Sequence, residues 1–430
     1  MTSTALAAAL VLALAPVTPS SSGEPTRVLL VGDSVMQGSS GDWTWRYRLW
    51  QHLTATGQAV DLVGPRDDLY DESQPGSSSH DYVDPAFDAD HAAYWRTAFA
   101  SQKYPVAGLV NQYHPDVVVV GLGLNDLIGY WLSATAVLQE ARSFVEQARS
   151  ADPEVDVVIV GLPQTWTQGV EEFNAGLPAL AQDLDTASAR VLVTVPDAMV
   201  RGEDTYDPAH LAASGEVKMA AAVADALAVL GIGDLYPRPL PQVPNGPRSP
   251  AVLTMEGAAE SATLSWTNPP GATGEYVWLR DVSTDSPWHR ATGPVAESTW
   301  RATGLQRGHD YAFRLQATKG TAVANDVFSN EVVLTRRPPR IALVQVTSRR
   351  RALSVRWWPR WPVAADVQYT VSWRRAGERG RQRVRRTAST RVTIRRLVTH
   401  RLYRLTVRAW KGDVPGPRTR FVGIPLPPLR

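Results

Sequence analysis

A serine, an aspartate and a histidine stand in the first half of the chain in an order that suits nucleophilic catalysis. Ser34 ends the run Val-Leu-Leu-Val-Gly-Asp-Ser, and Asp207 precedes His210 by three residues. A single turn can therefore bring the carboxylate to the imidazole. In such a set the imidazole takes the serine proton, and the acid fixes its tautomer and stabilises the imidazolium. We predict that Ser34, Asp207 and His210 are catalytic and that the chemistry is acyl transfer.

Two further positions could stabilise the negative charge that develops on an attacked carbonyl oxygen. Gly64 follows an apolar run, and its backbone N–H can approach a ligand without a side chain in the way. Asn125 follows another apolar run and carries an amide that donates hydrogen bonds. Taken singly, each position is also explained by a turn or a helix cap. Together they predict an oxyanion hole formed by Ser34, Gly64 and Asn125.

Strand-like and helix-like patterns alternate from residue 27 to about residue 231, and these elements must position the polar residues. The strand-like runs are Val28–Val31, Ala59–Val63, Val117–Val120, Val155–Val160 and Val191–Val195. Continuous apolar runs are typical of parallel strands buried on both faces. The clearest helical patterns cover 134–149 and 214–230. This alternation predicts a three-layer α/β/α domain, with its ligand crevice at the carboxyl ends of the strands.

After a proline-rich segment, the chain changes to short alternating runs separated by turn residues, which is typical of all-β structure. This part repeats itself. Trp266 is followed by Tyr311 after 45 residues, and Trp357 is followed by Tyr403 after 46 residues. We predict two immunoglobulin-like sandwiches, each with a core tryptophan and a tyrosine near a strand corner.

Composition bounds the possible functions. The chain of 430 residues has no cysteine, which excludes disulfides, thiolate metal sites and cysteine nucleophiles. The net charge of +2 hides an arginine-rich C-terminal part, in which Asp366, Glu378 and Asp413 are the acidic residues after residue 338. We expect this part to contact an anionic polymer or the cell wall, and we expect no specific nucleic-acid partner. Alternatively, the arginines form a face that contacts only solvent, which would explain the same arginine-rich composition.

Taken together, Ser34, Gly64, Asn125 and His210 resemble the four sequence blocks of the SGNH hydrolase superfamily, the GDSL-type esterases and lipases. Asp207 matches the acid of that family's triad. The resemblance covers about residues 27–231 and implies a flavodoxin-like sheet and a serine esterase that works through an acyl-enzyme. The later repeats are similar to fibronectin type III modules.

The resemblance and the composition together predict the domain organisation. Ala5–Val17 is an apolar stretch too short to span a bilayer, and it resembles the core of a secretory signal. We expect a secreted protein, associated with the cell wall, without a transmembrane segment. The predicted parts are a signal peptide at 1–23, the hydrolase domain at 24–233, a proline-rich linker at 234–249, and two β modules at 250–336 and 337–430.

Two other groups of residues could bind a ligand. The first is an acidic cluster that consists of His80, Asp81, Asp84, Asp88, Asp90 and His91. Its spacing matches no metal motif, and we predict neither a metal site nor a cofactor. Within it, Asp88–His91 resembles a segment of secreted relatives that act on polysaccharide, although those often continue with glycine-rich sequence. The second group is aromatic and could line a crevice or a core: Trp43, Trp45, Trp50, Tyr94, Trp95, Tyr130, Trp131 and Trp166.

The leading hypothesis is therefore a secreted serine esterase that deacylates carbohydrate or another small-acyl ester. One alternative is a lipase or phospholipase of the same superfamily. Another is a catalytically inactive cell-surface binding protein, against which the complete residue set argues. The β modules are expected to be spacers or wall-binding modules. The acyl length and the alcohol part of the substrate stay open.

Overall fold

The computed structural model describes residues 24–425 except 42, 83, 258–260, 307, 325, 336, 361–362, 364–365 and 381. The predicted signal peptide at 1–23 lies outside the described residues. The chain divides into two compact units, Met1–Gly246 and Pro247–Arg430. Within the part that the structure describes, no helix combines the length and the apolar character needed to cross a bilayer.

The first unit is built on a parallel sheet. Its strands are β1 (Thr26–Gly32), β2 (Val60–Val63), β3 (Leu69–Tyr70), β4 (Ser78–Ser79), β5 (Ala92–Ala93), β6 (Val117–Gly121), β7 (Asp156–Val160) and β8 (Val191–Thr194). The order across the sheet is β2-β1-β6-β7-β8, and each pair is parallel. The short strand β5 pairs with the end of β1, and β3 and β4 form a separate hairpin. The predicted strands and the flavodoxin-like order are confirmed.

Helices connect these strands. They are α1 (Ser34–Gln37), α2 (Trp45–Ala55), α3 (Val106–Tyr113), α4 (Leu124–Ile128), α5 (Ala134–Ala151), α6 (Val170–Leu184) and α7 (Ala213–Val229). The two helices predicted most clearly from the sequence correspond to α5 and α7. Ser133 caps α5 by accepting a hydrogen bond from the backbone of Ala136.

Each face of the sheet has its own apolar core, because successive side chains of a strand point to opposite faces. Leu29 and Val31 of β1 belong to the core formed with α3, α5 and α6. Val28 and Leu30 belong to the core formed with α2 and α7. The predicted three-layer arrangement is therefore confirmed, and β1 is buried on both sides.

The end of β1 requires a glycine. A Cβ atom on Gly32 would overlap the side chain of Met36 and the carbonyl oxygen of Gly121. The first turn of α1 folds back over the strand at this point, while Gly121 of β6 pairs with Gly32 from the side. The two glycines thus allow the chain to turn sharply immediately before Asp33 and Ser34.

The proline-rich segment after α7 makes contacts within the first unit. The backbone N–H of Tyr236 donates to Asp225 Oδ1 at 2.8 Å, and Arg238 pairs with the other oxygen of that carboxylate at 2.7 Å. Farther along, the amide of Asn245 donates to the carbonyl oxygen of Glu203. Residues 234–246, the first part of the predicted linker, are therefore held against this unit.

The second unit begins with an antiparallel sandwich. Its strands are β9 (Val252–Gly257), β10 (Ala262–Thr267), β11 (Gly274–Asp281), β12 (His289–Arg290), β13 (Thr299–Ala302), β14 (Tyr311–Lys319), β15 (Ala322–Val323) and β16 (Val332–Leu334). One sheet has the order β13-β10-β9. The other has the order β12-β11-β14-β15, with β16 also paired to β14.

A second sandwich of the same design follows. Its strands are β17 (Ile341–Arg349), β18 (Ala352–Pro359), β19 (Val367–Arg375), β20 (Arg383–Thr387), β21 (Arg391–Ile394), β22 (Tyr403–Lys411), β23 (Val414–Pro415) and β24 (Thr419–Gly423). One sheet has the order β17-β18-β21. The other has the order β20-β19-β22-β23, with β24 also paired to β22.

The repeated tryptophans and tyrosines occupy equivalent places in the two sandwiches. Trp266 and Trp357 are buried in the respective cores. The Tyr311 hydroxyl accepts a hydrogen bond from the backbone of Gln306 at 3.0 Å, and Tyr403 does the same with Val398 at 3.0 Å. Each tyrosine thus fixes the corner that precedes its strand, as the spacing predicted.

One buried carboxyl group in the first sandwich lacks a partner. Glu275 of β11 is 0% exposed, and neither of its side-chain oxygens has a hydrogen-bond partner among the described residues. Burial raises the pKa of this carboxyl to about 8. Because an unpaired charge is costly in an apolar surrounding, the group stays protonated at neutral pH.

We expect this carboxyl to make the stability of the first sandwich depend on pH. The unfolded chain ionises Glu275 near its ordinary pKa of 4.5, whereas the folded chain holds the proton to about pH 8. Stability should therefore fall as the pH rises through this range. Urea unfolding of the full chain at pH 5, 6.5 and 8 measures the trend. Glu275→Gln should flatten it and stabilise the protein at pH 8.

Glu256→Gln is the matched control, because Glu256 lies exposed on β9, in the other sheet of the same sandwich. It should leave the trend of the native chain unchanged. An equal pH trend in the native chain and in Glu275→Gln would refute the assignment.

Candidate active site

Ser34 stands where β1 ends and α1 begins. Asp33 is the N-cap of this helix, and its Oδ1 atom accepts a hydrogen bond from the backbone of Val35 at 2.9 Å. Ser34 is only 7% exposed. The serine hydroxyl is therefore held at the carboxyl edge of the sheet, where the fold places ligand crevices.

His210 and Asp207 lie in the loop between β8 and α7. The Oδ1 atom of Asp207 accepts hydrogen bonds from the backbones of Ala209 and His210 at 2.8 and 2.7 Å. Its Oδ2 atom lies 2.7 Å from His210 Nδ1, and His210 Nε2 lies 3.0 Å from Ser34 Oγ. The structure thus brings together the three residues that the sequence predicted to be catalytic.

The protonation state of the Asp207 carboxyl determines which tautomer of His210 it binds. Burial alone would raise the pKa of the Asp207 carboxyl, but the hydrogen bonds and charge of His210 and the backbone N–H groups lower it below its ordinary value. An ionised Asp207 accepts a hydrogen bond from the Nδ1–H group of His210, which leaves the Nε2 lone pair directed at the serine. The contact distances therefore match one tautomer of His210.

Two side chains from the loop after β7 hold the same segment from outside. Trp166 Nε1 donates to the carbonyl oxygen of Pro208 at 2.9 Å. Gln164 Nε2 donates to the carbonyl oxygen of Ala209 at 2.7 Å. These bonds fix the two residues between the aspartate and the histidine, and so restrict how far the imidazole can move.

Aromatic rings stack on the imidazole. Trp95 is nearly parallel to His210, with ring centroids 4.4 Å apart and an interplanar angle of 22°. Tyr206 is also near parallel, at 5.8 Å and 21°, and its hydroxyl is bound by the carboxylate of Glu72. Tyr70 stacks on the tryptophan at 3.8 Å. Flat aromatic faces attract a cation, so this stack suits an imidazole that becomes protonated.

Sequence reasoning named Trp95 only as one of eight aromatic residues, and it missed Tyr70, Glu72 and Tyr206. The one available signal was that Tyr206 directly precedes Asp207. Burial raises the pKa of this tyrosine well above its ordinary value, as does the neighbouring Glu72. The hydroxyl therefore stays protonated and donates to the carboxylate.

Asn125 lies in α4, next to the turn that carries the serine. Its Nδ2 atom donates to the carbonyl oxygen of Thr97 at 3.0 Å and to Asp33 Oδ2 at 3.3 Å. The neighbouring Asp126 accepts hydrogen bonds from the backbones of Phe99 and Ala100, each at 2.9 Å. Helix α4 and the loop at 97–100 are thus tied together beside Asp33.

Asp33 is buried and has an unusual protonation equilibrium. Burial raises the pKa of its carboxyl to about 7, although the backbone hydrogen bond from Val35 and the charge of His210 oppose the change. The group that contacts the Asn125 amide therefore changes its charge near neutral pH. Sequence reasoning had given Asp33 no role.

Gly64 follows β2 and lies against another part of the backbone. A Cβ atom at this position would overlap the backbone of His91, so close packing alone requires the glycine. Val63 pairs with Leu29, three residues before Gly32, whereas Gly32 itself pairs with Ala93 of β5. The role of Gly64 as an oxyanion donor stays a prediction.

The segment after β5 runs alongside the end of β1. The backbone of Tyr94 donates to Gly32 at 2.9 Å, and the backbone of Trp95 donates to Gln37 Oε1 at 2.9 Å. Arg96 follows with a φ angle of +67°, a left-handed conformation that side chains disfavour. Its neighbours on either side contact His210 and Asn125. The strained backbone therefore lies next to the site.

The acidic cluster is divided among separate contacts. His80 pairs with Asp67 at 3.1 Å, Asp84 accepts from the Tyr47 hydroxyl at 3.2 Å, and Asp88 accepts from a β2 backbone N–H at 2.6 Å. Within the described ranges, no group of three or more such side chains is arranged to hold a metal ion.

The aromatic set is also divided. Trp45 is 0% exposed and belongs to the core, whereas Tyr130 and Trp131 are 50% and 84% exposed. Of the eight residues, Trp95 and Trp166 are those with a described contact to the segment 207–210.

Several solved structures are similar to parts of the chain. Two fibronectin type III domains of chicken tenascin match with 18% identity, 40% of this chain and 98% of that one, at a TM-score of 0.33. A carbohydrate esterase family 3 structure from Talaromyces cellulolyticus matches with 26% identity, 48% of this chain and 97% of that one, at a TM-score of 0.42. A family 3 carbohydrate esterase of Clostridium thermocellum matches with 23% identity at a TM-score of 0.40. The match covers 48% of this chain and 99% of that one.

The first unit also matches a protein family by sequence. The model of the GDSL-like Lipase/Acylhydrolase family aligns with residues 30–232. This range begins within β1 and ends after α7, so it contains most of the sheet and all five residues predicted for the site. The family match identifies residues 30–232 as a GDSL-like lipase/acylhydrolase domain, that is, a carboxylic ester hydrolase domain of the SGNH type.

Proposed function

We propose that the protein is a secreted serine esterase that removes small acyl groups from carbohydrate through an acyl-enzyme. The observation that carries this proposal is the continuous chain of contacts from Asp207 through His210 to Ser34, at 2.7 and 3.0 Å. These distances are those of hydrogen bonds, and the order of the groups is that of a nucleophile, a base and its orienting acid.

In the first step, Ser34 Oγ bonds to the carbonyl carbon of the ester while His210 Nε2 accepts its proton. The ionised Asp207 stabilises the imidazolium, and the rings of Trp95 and Tyr206 lie against it. The imidazolium then gives its proton to the departing alcohol as the ester C–O bond breaks. The acyl group remains on the serine.

In the second step, a water molecule attacks the acyl-enzyme. His210 accepts a proton from this water and returns it to Ser34 Oγ as the serine–acyl bond breaks. The products are the free acid and the regenerated site. The same base serves both steps, which is why a fixed imidazole matters.

The oxyanion of each intermediate needs hydrogen-bond donors. We assign the backbone N–H of Ser34 and the amide of Asn125 to this role, with Gly64 as a further predicted donor. The amide would exchange its longer contact, 3.3 Å to Asp33, for the oxyanion. The backbone N–H of Arg96 is a fourth candidate, since no hydrogen bond from it is found among the described residues.

One observation favours a lipase or phospholipase instead. Ile128, Tyr130 and Trp131 follow Asn125 closely and are 42%, 50% and 84% exposed. Exposed apolar residues near a site can mark a surface that meets lipid or another partner. We favour carbohydrate because Asp88–His91 resembles a segment of secreted relatives that act on polysaccharide.

Export and wall contact are parts of the same proposal. The support for export is the apolar stretch Ala5–Val17, followed by small residues. The support for wall contact is the arginine-rich second sandwich, whose charge would attract an anionic polymer.

Ser34→Ala should abolish hydrolysis of p-nitrophenyl acetate, because the nucleophile is lost. We expect kcat to fall on the order of 10⁴- to 10⁶-fold with unchanged circular dichroism. Ser101→Ala, at an exposed serine, is the control and should keep full activity. Turnover by Ser34→Ala at the native rate would refute the assignment.

Asp207→Asn should lower kcat by about 10⁴-fold, because an amide does not enforce the productive tautomer of His210. The substitution preserves the size of the side chain. Asp183→Asn is matched to it, since Asp183 forms an exposed ion pair with Arg142 on a distant helix. Comparable activity in the two variants would show that Asp207 is not the orienting acid.

A series of p-nitrophenyl esters from acetate to laurate, beside acetylated xylan, separates the two substrate classes. We expect the highest kcat/KM for acetate, release of acetate from the polysaccharide, and no effect of Trp131→Ala. A preference for long chains that Trp131→Ala reduces would favour the lipase.

A further inference from the structure

One face of the second sandwich carries arginines on four of its strands, β19, β20, β22 and β24. In β19, Tyr369 and Val371 point to the core, so Thr370 and Ser372 point outward. The same alternation in β20, β22 and β24 produces a face that we call the arginine face. Its arginines are Arg374, Arg386, Arg404, Arg408, Arg418 and Arg420, and they line a groove of about 940 Å³.

The strand register places these side chains around a floor of small polar residues. Thr370 pairs with Arg386 on one side and Arg408 on the other. On the other side of β22, Thr406 pairs with Arg420 of β24. Neighbouring strands are about 4.8 Å apart, so cationic side chains flank the hydroxyl groups at close range.

Two of the arginines stand directly opposite each other. Arg374 of β19 pairs with Arg404 of β22. Like charges opposite each other destabilise a sheet. No residue that lines the groove is acidic, and among the described residues no ion pair involves any of the six arginines. The positive charge of this face is therefore left uncompensated by the sandwich itself.

The equivalent face of the first sandwich shows that the fold does not require this arrangement. There, Arg290 lies over the ring of Tyr276 at 4.0 Å, and Arg314 lies over Phe328 at 3.6 Å. Arg280 pairs with Glu331 at 3.1 Å. Aromatic rings and a carboxylate thus contact the guanidinium groups of these three arginines.

On the arginine face, the described residues include one contact between a guanidinium group and an aromatic ring: Arg408 lies over Trp410 at 4.8 Å. The other arginines of the face have no described aromatic partner. Guanidinium groups that are neither stacked nor paired can bind carboxylates through two parallel hydrogen bonds.

We propose that the arginine face binds an anionic polysaccharide, a sugar chain with repeated carboxylate groups. A groove lined by arginines from four strands suits a ligand with charges repeated along its length, and the threonine and serine hydroxyls can form hydrogen bonds with sugar hydroxyls. Single-stranded nucleic acid needs several aromatic platforms, whereas Trp410 is already covered by Arg408. The choice of a polysaccharide rests on the proposed function of the first unit.

The test is the binding of the full chain to polygalacturonate, measured by isothermal titration calorimetry at low and moderate salt. The triple variant Arg374→Gln, Arg404→Gln and Arg420→Gln should bind about tenfold more weakly or worse. Its affinity should also depend less on salt. Methyl-esterified polygalacturonate, which has the same backbone without the charge, should not bind.

A matched variant has the same net charge but keeps the arginine face. Arg349→Gln, Arg350→Gln and Arg395→Gln remove three exposed arginines outside the groove. This variant should bind polygalacturonate like the native chain. Equal losses in both triple variants would overturn the site, because the effect would then follow net charge alone. Tighter binding to poly(dT) or to anionic phosphatidylglycerol vesicles would overturn the choice of polysaccharide.

Hydrolysis of p-nitrophenyl acetate separates this inference from the esterase proposal. Both triple variants should retain native turnover, and Ser34→Ala should retain native binding to polygalacturonate. If the native chain hydrolysed p-nitrophenyl acetate but did not bind polygalacturonate, only the proposal for the arginine face would be refuted.

Discussion

The contact between Ser34 and His210 is the constraint on which the candidate site depends. It spans 3.0 Å and joins residues separated by 176 positions in the sequence. Only a sheet with fixed strand order can bring the end of β1 and the loop before α7 together so closely. The glycines at positions 32 and 121 then let the chain turn at the sheet edge. The core on both faces of β1 keeps that edge rigid, which a hydrogen-bonded nucleophile and base require.

The loop that carries Asp207 and His210 is stabilised by these two side chains and by its neighbours. Asp207 binds both the backbone of the turn and the imidazole, so the acid orients the base in two ways. Trp166 and Trp95 contact the turn and the ring from different elements. Beside the serine, the buried Asp33 contacts Asn125, so the charge of a carboxyl with a pKa of about 7 is coupled to the amide assigned to the oxyanion.

The two sandwiches use one framework for two different surfaces. Both have a buried tryptophan and a tyrosine that fixes a corner, and these features make the cores alike. On the outer face, the first sandwich covers Arg290 and Arg314 with aromatic rings. The second leaves the arginine face largely uncovered. Core residues thus determine the fold, and outward residues of the same strands are free to determine a partner.

The sequence by itself predicted the parallel sheet, the two sandwiches and the set Ser34, Asp207 and His210, which the structure brings together, because apolar periodicity and local spacing are properties of the chain. It missed Tyr70, Glu72 and Tyr206, whose contacts with the site depend on loops that fold over one another. It also could not show that Gly64 packs against His91, or that residues 94–97 run beside the end of β1. Long-range loop packing decided these points, since it depends on the whole tertiary structure and leaves no periodic signal.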